Sequence, residues 1–346
     1  MRIWLVGFGT VGQWLARVLR DQAGPLHARY GLDPQVVGIA SAHVGFVYDP
    51  DGLDLTAALA AAEAGRPVAD LPGSEHWPTA LEGLHATDAD VLVEVSASPP
   101  GDGQPGLAHL REALGRRIPV VTSNKWPVAL DGVTLAAQAR DQGVLFRAES
   151  TVMSGTPVLS TLTEGLAGAV PMSLRGLLNA TNNYILTSMA GGKSYEQALA
   201  AAQATGLAER DPSADVSGLD VVAKVMILSA LVFGRQLTRA DVSCRGIDGL
   251  PDQALDQARA AGGTLKHVAT LSFAGPGGTG AVIARVQPEV VGPRDPLAAV
   301  NGPTNMLACQ ADPVGEVTIT GPGAGLELAG QGVLSDLIAV ARWAQR

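Results

Sequence analysis

Apolar and polar positions change rhythm along the chain, and the change predicts two kinds of architecture in succession. From Arg2 to Ala148, short apolar runs alternate with helical spacings. Arg2–Val6, Val36–Ala40, Val91–Val95, Ile118–Thr122 and Leu145–Ala148 read as buried strands. Between them, Gln13–Arg20 (apolar at Trp14, Leu15, Val18 and Leu19), Leu53–Ala64, Leu107–Leu114 and Val133–Gln142 read as helices. This alternation implies right-handed crossovers and a parallel sheet. After Glu149 the rhythm differs. Pro157 suits the first turn of a helix reaching Leu166, and Ser173–Ala180 reads as a strand. Ser194-Tyr-Glu-Gln197 is a capping-box pattern that opens a helix to Ala204, which Gly206 ends. Lys266–Phe273, Ala281–Val290, Met306–Gln310 and Val317–Thr320 read as strands parted by Gly/Pro turns, the pattern of a mainly antiparallel sheet. A final helix is expected at Gly330–Trp343. The fold class is therefore α/β. A parallel-sheet domain covers 1–148, and an α+β domain covers 149–320.

One helix departs from the usual surface pattern. Ser217–Gly234 carries only two charges, Asp220 and Lys224, among Leu219, Val221, Val222, Ala223, Val225, Met226, Ile227, Leu228, Leu231, Val232 and Phe233. A helix apolar on nearly all sides is buried. Residues four apart share a face, so the two charges are neighbours. On an exposed helix such a pair is worth a few tenths of a kcal/mol. On a buried one, each charge is costly to desolvate unless the other is kept. The pair therefore points to a cavity that needs it.

The first strand runs straight into Gly7-Phe-Gly9-Thr-Val-Gly12 and then a helix. Strand, glycine turn and helix in this order form a dinucleotide-binding signature, in which backbone N–H groups meet a pyrophosphate at the helix N-terminus. The 1–148 domain is thus of Rossmann type. Gly7, Gly9, Thr10, Val11 and Gly12 are assigned to the coenzyme, with Ser41 and Ser96 at two strand ends. After the second strand, where an acid would hold the ribose hydroxyls of NAD, the residues are Ser41, Ala42 and His43. Neither an acid nor an arginine is present there, which leans slightly toward NADP or dual use; the sequence does not show whether Arg66 reaches the site.

Composition narrows the partners. A net charge of −9 argues against nucleic acid or an anionic membrane. Cys244 and Cys309 stand far apart, as expected in a reducing compartment without a disulfide framework. The histidines are scattered and suggest no zinc site. Val225–Gly234 is too short to span a membrane. The glycine spacing accounts for the first twenty residues better than a secretion signal does.

The stretch Ala202…Gly206…Asp211-Pro212…Asp215…Gly218-x-Asp220…Lys224 resembles the signature of homoserine dehydrogenases at every fixed position. The resemblance extends in order over essentially the whole chain, through Val121-Thr-Ser-Asn-Lys125 and Asn179-Ala-Thr-Asn-Asn-Tyr-Ile-Leu. It implies the interconversion of L-aspartate 4-semialdehyde and L-homoserine with NADP or NAD, in threonine, methionine and isoleucine biosynthesis. It makes Lys125, beside the nicotinamide, and Lys224 the catalytic candidates, and leaves open which donates the proton. Glu209, Asp215 and Asp220 would bind the amino-acid substrate, in a cleft between the domains. The segment 321–346 would return to complete the 1–148 domain, and Gly325, in the glycine turn Gly321-Pro-Gly323-Ala-Gly325, would touch the coenzyme. A monovalent cation such as Na⁺ is implied at Glu149, Val152, Ser154 and Thr156, held mostly by backbone carbonyls. A cytoplasmic homodimer is implied as well, and a chain ending at Arg346 leaves out the regulatory domain appended in some relatives.

Three other readings stand beside this one. Trp126, where the family favours glycine, suits a dehydrogenase of another amino- or hydroxy-acid, or a core residue behind the loop. A semialdehyde dehydrogenase making an acyl phosphate would need a cysteine nucleophile, and neither cysteine lies in a matching motif. A non-catalytic sensor would bind the dinucleotide and leave it unreduced.

Overall fold

A computed structural model describes residues 1–346 apart from His43, Val44, Pro72, Gly73, Asp252, Pro276 and Ala324 and the side chains of Asp70 and Leu326. The chain divides into two compact units, Met1–Thr151 with Leu326–Arg346, and Val152–Gly325.

The first unit is built on a seven-stranded sheet: β1 (Arg2–Val6), β2 (Gln35–Ser41), β3 (Gly45–Tyr48), β4 (Glu75–Trp77), β5 (Val91–Glu94), β6 (Val120–Thr122) and β7 (Phe146–Arg147). The spatial order is β4-β3-β2-β1-β5-β6-β7. The five strands from β2 to β7 pair in parallel, and β3 and β4 add an antiparallel edge. Period-2 alternation sorts β1 between two cores. Ile3 and Leu5 pack with Leu15, Leu19, Val333, Leu337 and Val340. Trp4 and Val6 pack with Leu92, Leu110, Leu114 and Leu135. A strand covered on both faces reads as one unbroken apolar run.

The antiparallel edge was not legible as strands, because its stability comes from a long-range fit with no local signal. Its anchor is Phe46, fully buried and edge-on to Trp4 at 6.5 Å between centroids. The ring fits because two neighbours lack side chains. A Cβ at Gly38 would lie 2.5 Å from Phe46 Cζ, and one at Gly83 would lie 2.0 Å from Phe46 Cδ1.

In the second unit, β8 (Val170–Leu177), β9 (Val242–Cys244), β10 (Thr264–Gly275), β11 (Thr279–Val291), β12 (Thr304–Asp312) and β13 (Gly315–Pro322) form one sheet, ordered β13-β12-β8-β10-β11-β9. Every pairing is antiparallel except β9 with β11. The apolar helix runs Leu219–Val232, is buried from Val221 to Ala230, and packs on β9, β10 and β11. It starts after Gly218, whose φ of 86° suits glycine; a Cβ there would lie 2.9 Å from Cys244 Sγ.

Three local expectations are corrected. The strand read as Ser173–Ala180 ends at Leu177, and Ala180 begins a helix to Ala190. Asn179 makes the break: its side chain accepts the Asn182 N–H at 2.9 Å, an N-cap that competes with strand continuation. The helix expected from Pro157 to Leu166 is mostly an irregular turn, with a wide Thr161–Gly165 segment closed by the Leu166 N–H on the Thr161 carbonyl. The helix expected at Val133–Gln142 begins at Lys125 and is broken at Asp131. Pro127 falls in its first turn, where no backbone donor is lost.

On β10, His267 is 4% exposed. Its Nε2 faces the Arg245 carbonyl at 3.1 Å and so carries the proton; Nδ1 accepts from Asn182 Nδ2 at 3.0 Å. Burial lowers its pKa to about 4, against the weaker opposing pull of the Arg245 carbonyl and Asp248.

Two stability predictions follow from this packing. Gly83→Ala should lower the unfolding free energy by about 1–3 kcal/mol, through forced displacement of Phe46, as read from urea midpoints. His267 binds its proton more weakly in the folded than in the unfolded chain. Its contribution is therefore intact above pH ~6.5 and lost as pH falls toward 4, on the order of 3 kcal/mol in all. His267→Gln should flatten that part of the stability–pH curve; an unchanged slope would contradict the neutral-histidine assignment.

Candidate functional site

The glycine turn opens a cleft at the C-terminal edge of the parallel sheet. Gly7 takes φ 104°, and a Cβ there would lie 2.5 Å from the Ser96 nitrogen and 2.6 Å from the Val95 carbonyl carbon. At Gly12 it would lie 2.0 Å from the Gly7 oxygen, whereas Gly9 has open space on that side. Gly9 caps helix Thr10–Asp21, whose first turn holds no acid. Thr10 and Val11 therefore present backbone donors where an anion is favoured. The cleft holds about 560 Å³ and is lined by Gly7, Phe8, Gly9, Gln13, Ser41, Ala42, Arg66, Val95, Ser96 and Ala97, among others. Arg66 enters from the turn after helix Leu55–Glu63, its N–H bonded to the Ala61 carbonyl at 2.8 Å. No carboxylate occurs among the described lining residues. His43 lies outside the described residues.

Below the Ser96 wall is a buried polar network. Glu94, the last residue of β5, is 0% exposed. Its Oε1 accepts the Ser96 N–H at 3.3 Å and pairs closely with Ser96 Oγ. Thr122 Oγ1 donates to the Glu94 carbonyl at 2.8 Å and accepts the Asn124 N–H at 3.0 Å. Asn124 Nδ2 reaches Ser98 Oγ at 2.8 Å, and Asn124 Oδ1 accepts the Ser98 N–H at 3.2 Å. Asn124 immediately precedes Lys125, which is the first residue of its helix rather than a loop residue. Trp126 beside it is half-buried.

In the second unit, the predicted pair is real and has a third member. Lys224 Nζ lies 2.7 Å from Asp220 Oδ2 and donates to the Leu178 carbonyl at 2.6 Å. Lys224 is 7% exposed. Asn179 Nδ2 donates to Asp220 Oδ2 at 3.0 Å and to Asp215 Oδ1 at 2.7 Å, tying the two carboxylates together. Asn182 Nδ2 binds the Asp215 carbonyl at 2.8 Å and leads back to His267. Asp215, Asp220 and Lys224 are thus brought together. Asn179 was not singled out as a site residue, although its motif was; cap and bridge roles look alike in a sequence.

Glu209 is exposed, and among the described residues its carboxylate has no hydrogen-bond partner in this cluster. The Glu149 N–H donates to Asp336 Oδ2 at 2.8 Å within the first unit. In the second unit, Val152 is buried and Ser154 takes φ 55°. The Thr156 carbonyl accepts the Val158 N–H at 2.9 Å. No group of three or more His, Cys, Asp or Glu capable of holding a metal occurs among the described residues. Gly325, at φ 147°, is the last residue of its unit; Ala324 lies outside the described residues.

A family model described as homoserine dehydrogenase matches residues 157–338. The chain is 36% identical over 343 residues to an NAD(+)-dependent homoserine dehydrogenase of Pseudomonas canavaninivorans, covering 99% of this chain and 96% of that one. It is similar to the crystal structure of a putative homoserine dehydrogenase from Archaeoglobus fulgidus, with TM-score 0.86, 31% identity and 99% of each chain covered. A hyperthermophilic archaeal homoserine dehydrogenase mutant in complex with NADPH matches with TM-score 0.81 and 29% identity, covering 98% of this chain and 97% of that chain. With a family model over more than half of its length and full-length relatives above 30% identity, the chain belongs to the homoserine dehydrogenase family.

Proposed function

We propose that this chain interconverts L-aspartate 4-semialdehyde and L-homoserine with a nicotinamide coenzyme, and that its own residues divide the work as follows. The observation that carries the reading is the Asp215–Asn179–Asp220–Lys224 cluster at the start of the buried helix. When bound, the coenzyme supplies or accepts the hydride. Reduction of an aldehyde leaves negative charge on oxygen, which needs a proton donor or a cation. Lys125 and Lys224 are given that role. The substrate's ammonium needs carboxylates, and Asp220, Asp215 and Glu209 are given that one. Asn179 spends its amide donors on the two aspartates, so both carboxylates hold one orientation before substrate arrives. Asp220 and Lys224 neutralise each other in a setting that would otherwise penalise both. A monovalent cation fits the Ser154–Thr156 turn only through backbone carbonyls, and the Thr156 oxygen keeps a second lone pair for it; such an ion would fix the turn. Cytoplasmic location and a homodimer belong to this reading through the family.

Acyl-phosphate chemistry is disfavoured. Burial raises the Cys244 thiol and pushes Cys309 up to about 11, so neither is a ready thiolate.

The coenzyme question turns on Arg66. Relatives are named with NAD(+) and with NADPH. Here the cleft offers a guanidinium and no described carboxylate, the arrangement that accepts a 2′-phosphate. NADP is therefore the coenzyme this reading prefers.

Lys224→Ala should lower kcat/KM for the semialdehyde by about a hundredfold or more, with coenzyme affinity kept. A melting curve must accompany the assay, because Asp220 is left unpaired; near-normal turnover in a folded variant would remove Lys224 from the site. Arg66→Ala should raise KM for NADP about ten- to a hundredfold and leave KM for NAD nearly unchanged. Equal changes for both coenzymes would show that Arg66 does not read the phosphate.

A further inference from the structure

Ser96 lines the cleft, yet its hydroxyl is engaged from beneath. The partner is Glu94 Oε1, which also takes the Ser96 backbone N–H at 3.3 Å. That N–H can only donate, so this oxygen is an acceptor. A carboxyl oxygen has two lone pairs and can accept from both groups at once. Ser96 Oγ has a single proton. With that proton directed at Glu94, what the hydroxyl can offer elsewhere is lone pairs.

The surroundings agree. Asn124 Nδ2, a donor, stands 3.5 Å from the same Oγ. Thr122 Oγ1 lies 3.5 Å from Glu94 Oε2 and already donates to the Glu94 carbonyl. His109 Nδ1 is 3.8 Å from Oε1, buried and without a hydrogen bond. The segment has no room to turn away, because Gly7 abuts the Val95–Ser96 peptide. A carboxylate with no solvent exposure is expensive to keep, and it needs a reason to be there.

We propose that Glu94 is a positioning residue: it holds the Ser96 hydroxyl as an acceptor facing the coenzyme cleft, matched to a hydroxyl or amide donor of the bound dinucleotide. The proposal rests on the coenzyme occupying this cleft. Its chemistry is specific. Glu94→Gln can keep an amide oxygen on the Ser96 N–H and hydroxyl and turn its NH2 toward Thr122 Oγ1, so it preserves the arrangement, whereas Glu94→Ala removes the acceptor. Without that acceptor the hydroxyl proton turns outward, and an acceptor becomes a donor facing a donor.

The test is a double-mutant cycle on coenzyme affinity, read by fluorescence titration with NADPH and NADH in wild type, E94A, S96A and the E94A/S96A double variant, with E94Q as the conservative rescue. Wild type should bind. E94A and S96A should each weaken binding about tenfold, E94Q should bind within about threefold of wild type, and the double variant should be no weaker than S96A alone. Additive losses mean Glu94 acts on the fold rather than through Ser96, and they overturn the proposal while leaving the cleft assignment intact. A wild type that binds neither coenzyme overturns both. Should E94A prove unfolded by circular dichroism, S96A carries the test: an unchanged dissociation constant there overturns the proposal.

Discussion

A buried charge must have a partner, and the second unit is arranged to honour that rule at one place. Helix Leu219–Val232 supplies the apolar mass that anchors the sheet, and its first two turns carry Asp220 and Lys224. Neither residue suits that environment alone. Side by side at 2.7 Å they are tolerated, and the Leu178 carbonyl and Asn179 amide complete the coordination. The break between β8 and the next helix, at Leu178–Asn179, is therefore placed by two demands. The chain must end a strand and cap a helix, and it must deliver a carbonyl and an amide to the ion pair.

Support extends one layer further back. Asn182 uses its amide on the Asp215 carbonyl and on His267, whose other nitrogen is held by Arg245. The histidine is neutral because burial makes its charge costly, and so it can serve as an acceptor for Asn182. Aspartates, asparagines and histidine thus form one chain of fixed polarity. Each amide in it is oriented by a neighbour that can only accept or only donate.

Much of this was legible in the sequence, and the limits have physical causes. The parallel core could be read because β1, β2, β5 and β6 are buried on both faces and show as apolar runs. The edge strands β3 and β4 could not, since they gain their stability from Phe46 seated over Gly38 and Gly83, a long-range fit with no local signal. Asp220 and Lys224 stood out because charge in an apolar helix is a contradiction that only tertiary structure resolves. Asn179 did not, because one asparagine can be a cap, a bridge or both. Glu94 was not singled out, because Val91–Val95 reads as one buried strand and a single carboxylate within it carries no local sign of its partners. Arg66 needed the folded turn after its helix before it could be placed in the cleft that Ser41 also lines.

Two buried lysines in the same unit show what separates a structural ammonium from a chemical one. Lys266, on β10, is 1% exposed, and its Nζ is met by the Val300 carbonyl and by the side-chain oxygens of Asn183 (3.2 Å) and Asn301 (3.1 Å). All of these partners are neutral. They orient the ammonium and pin the 300–304 turn, but among the described residues no carboxylate pairs with it, and burial pulls the pKa down to about 8. Lys224 is also buried, at 7% exposed, but faces a carboxylate at 2.7 Å. A group that must present positive charge to a developing alkoxide needs that kind of partner. A group that only ties a turn to a sheet can rely on carbonyls. The carboxylate at 2.7 Å, more than the burial of either lysine, is what supports the chemical role proposed for Lys224 and a structural one for Lys266.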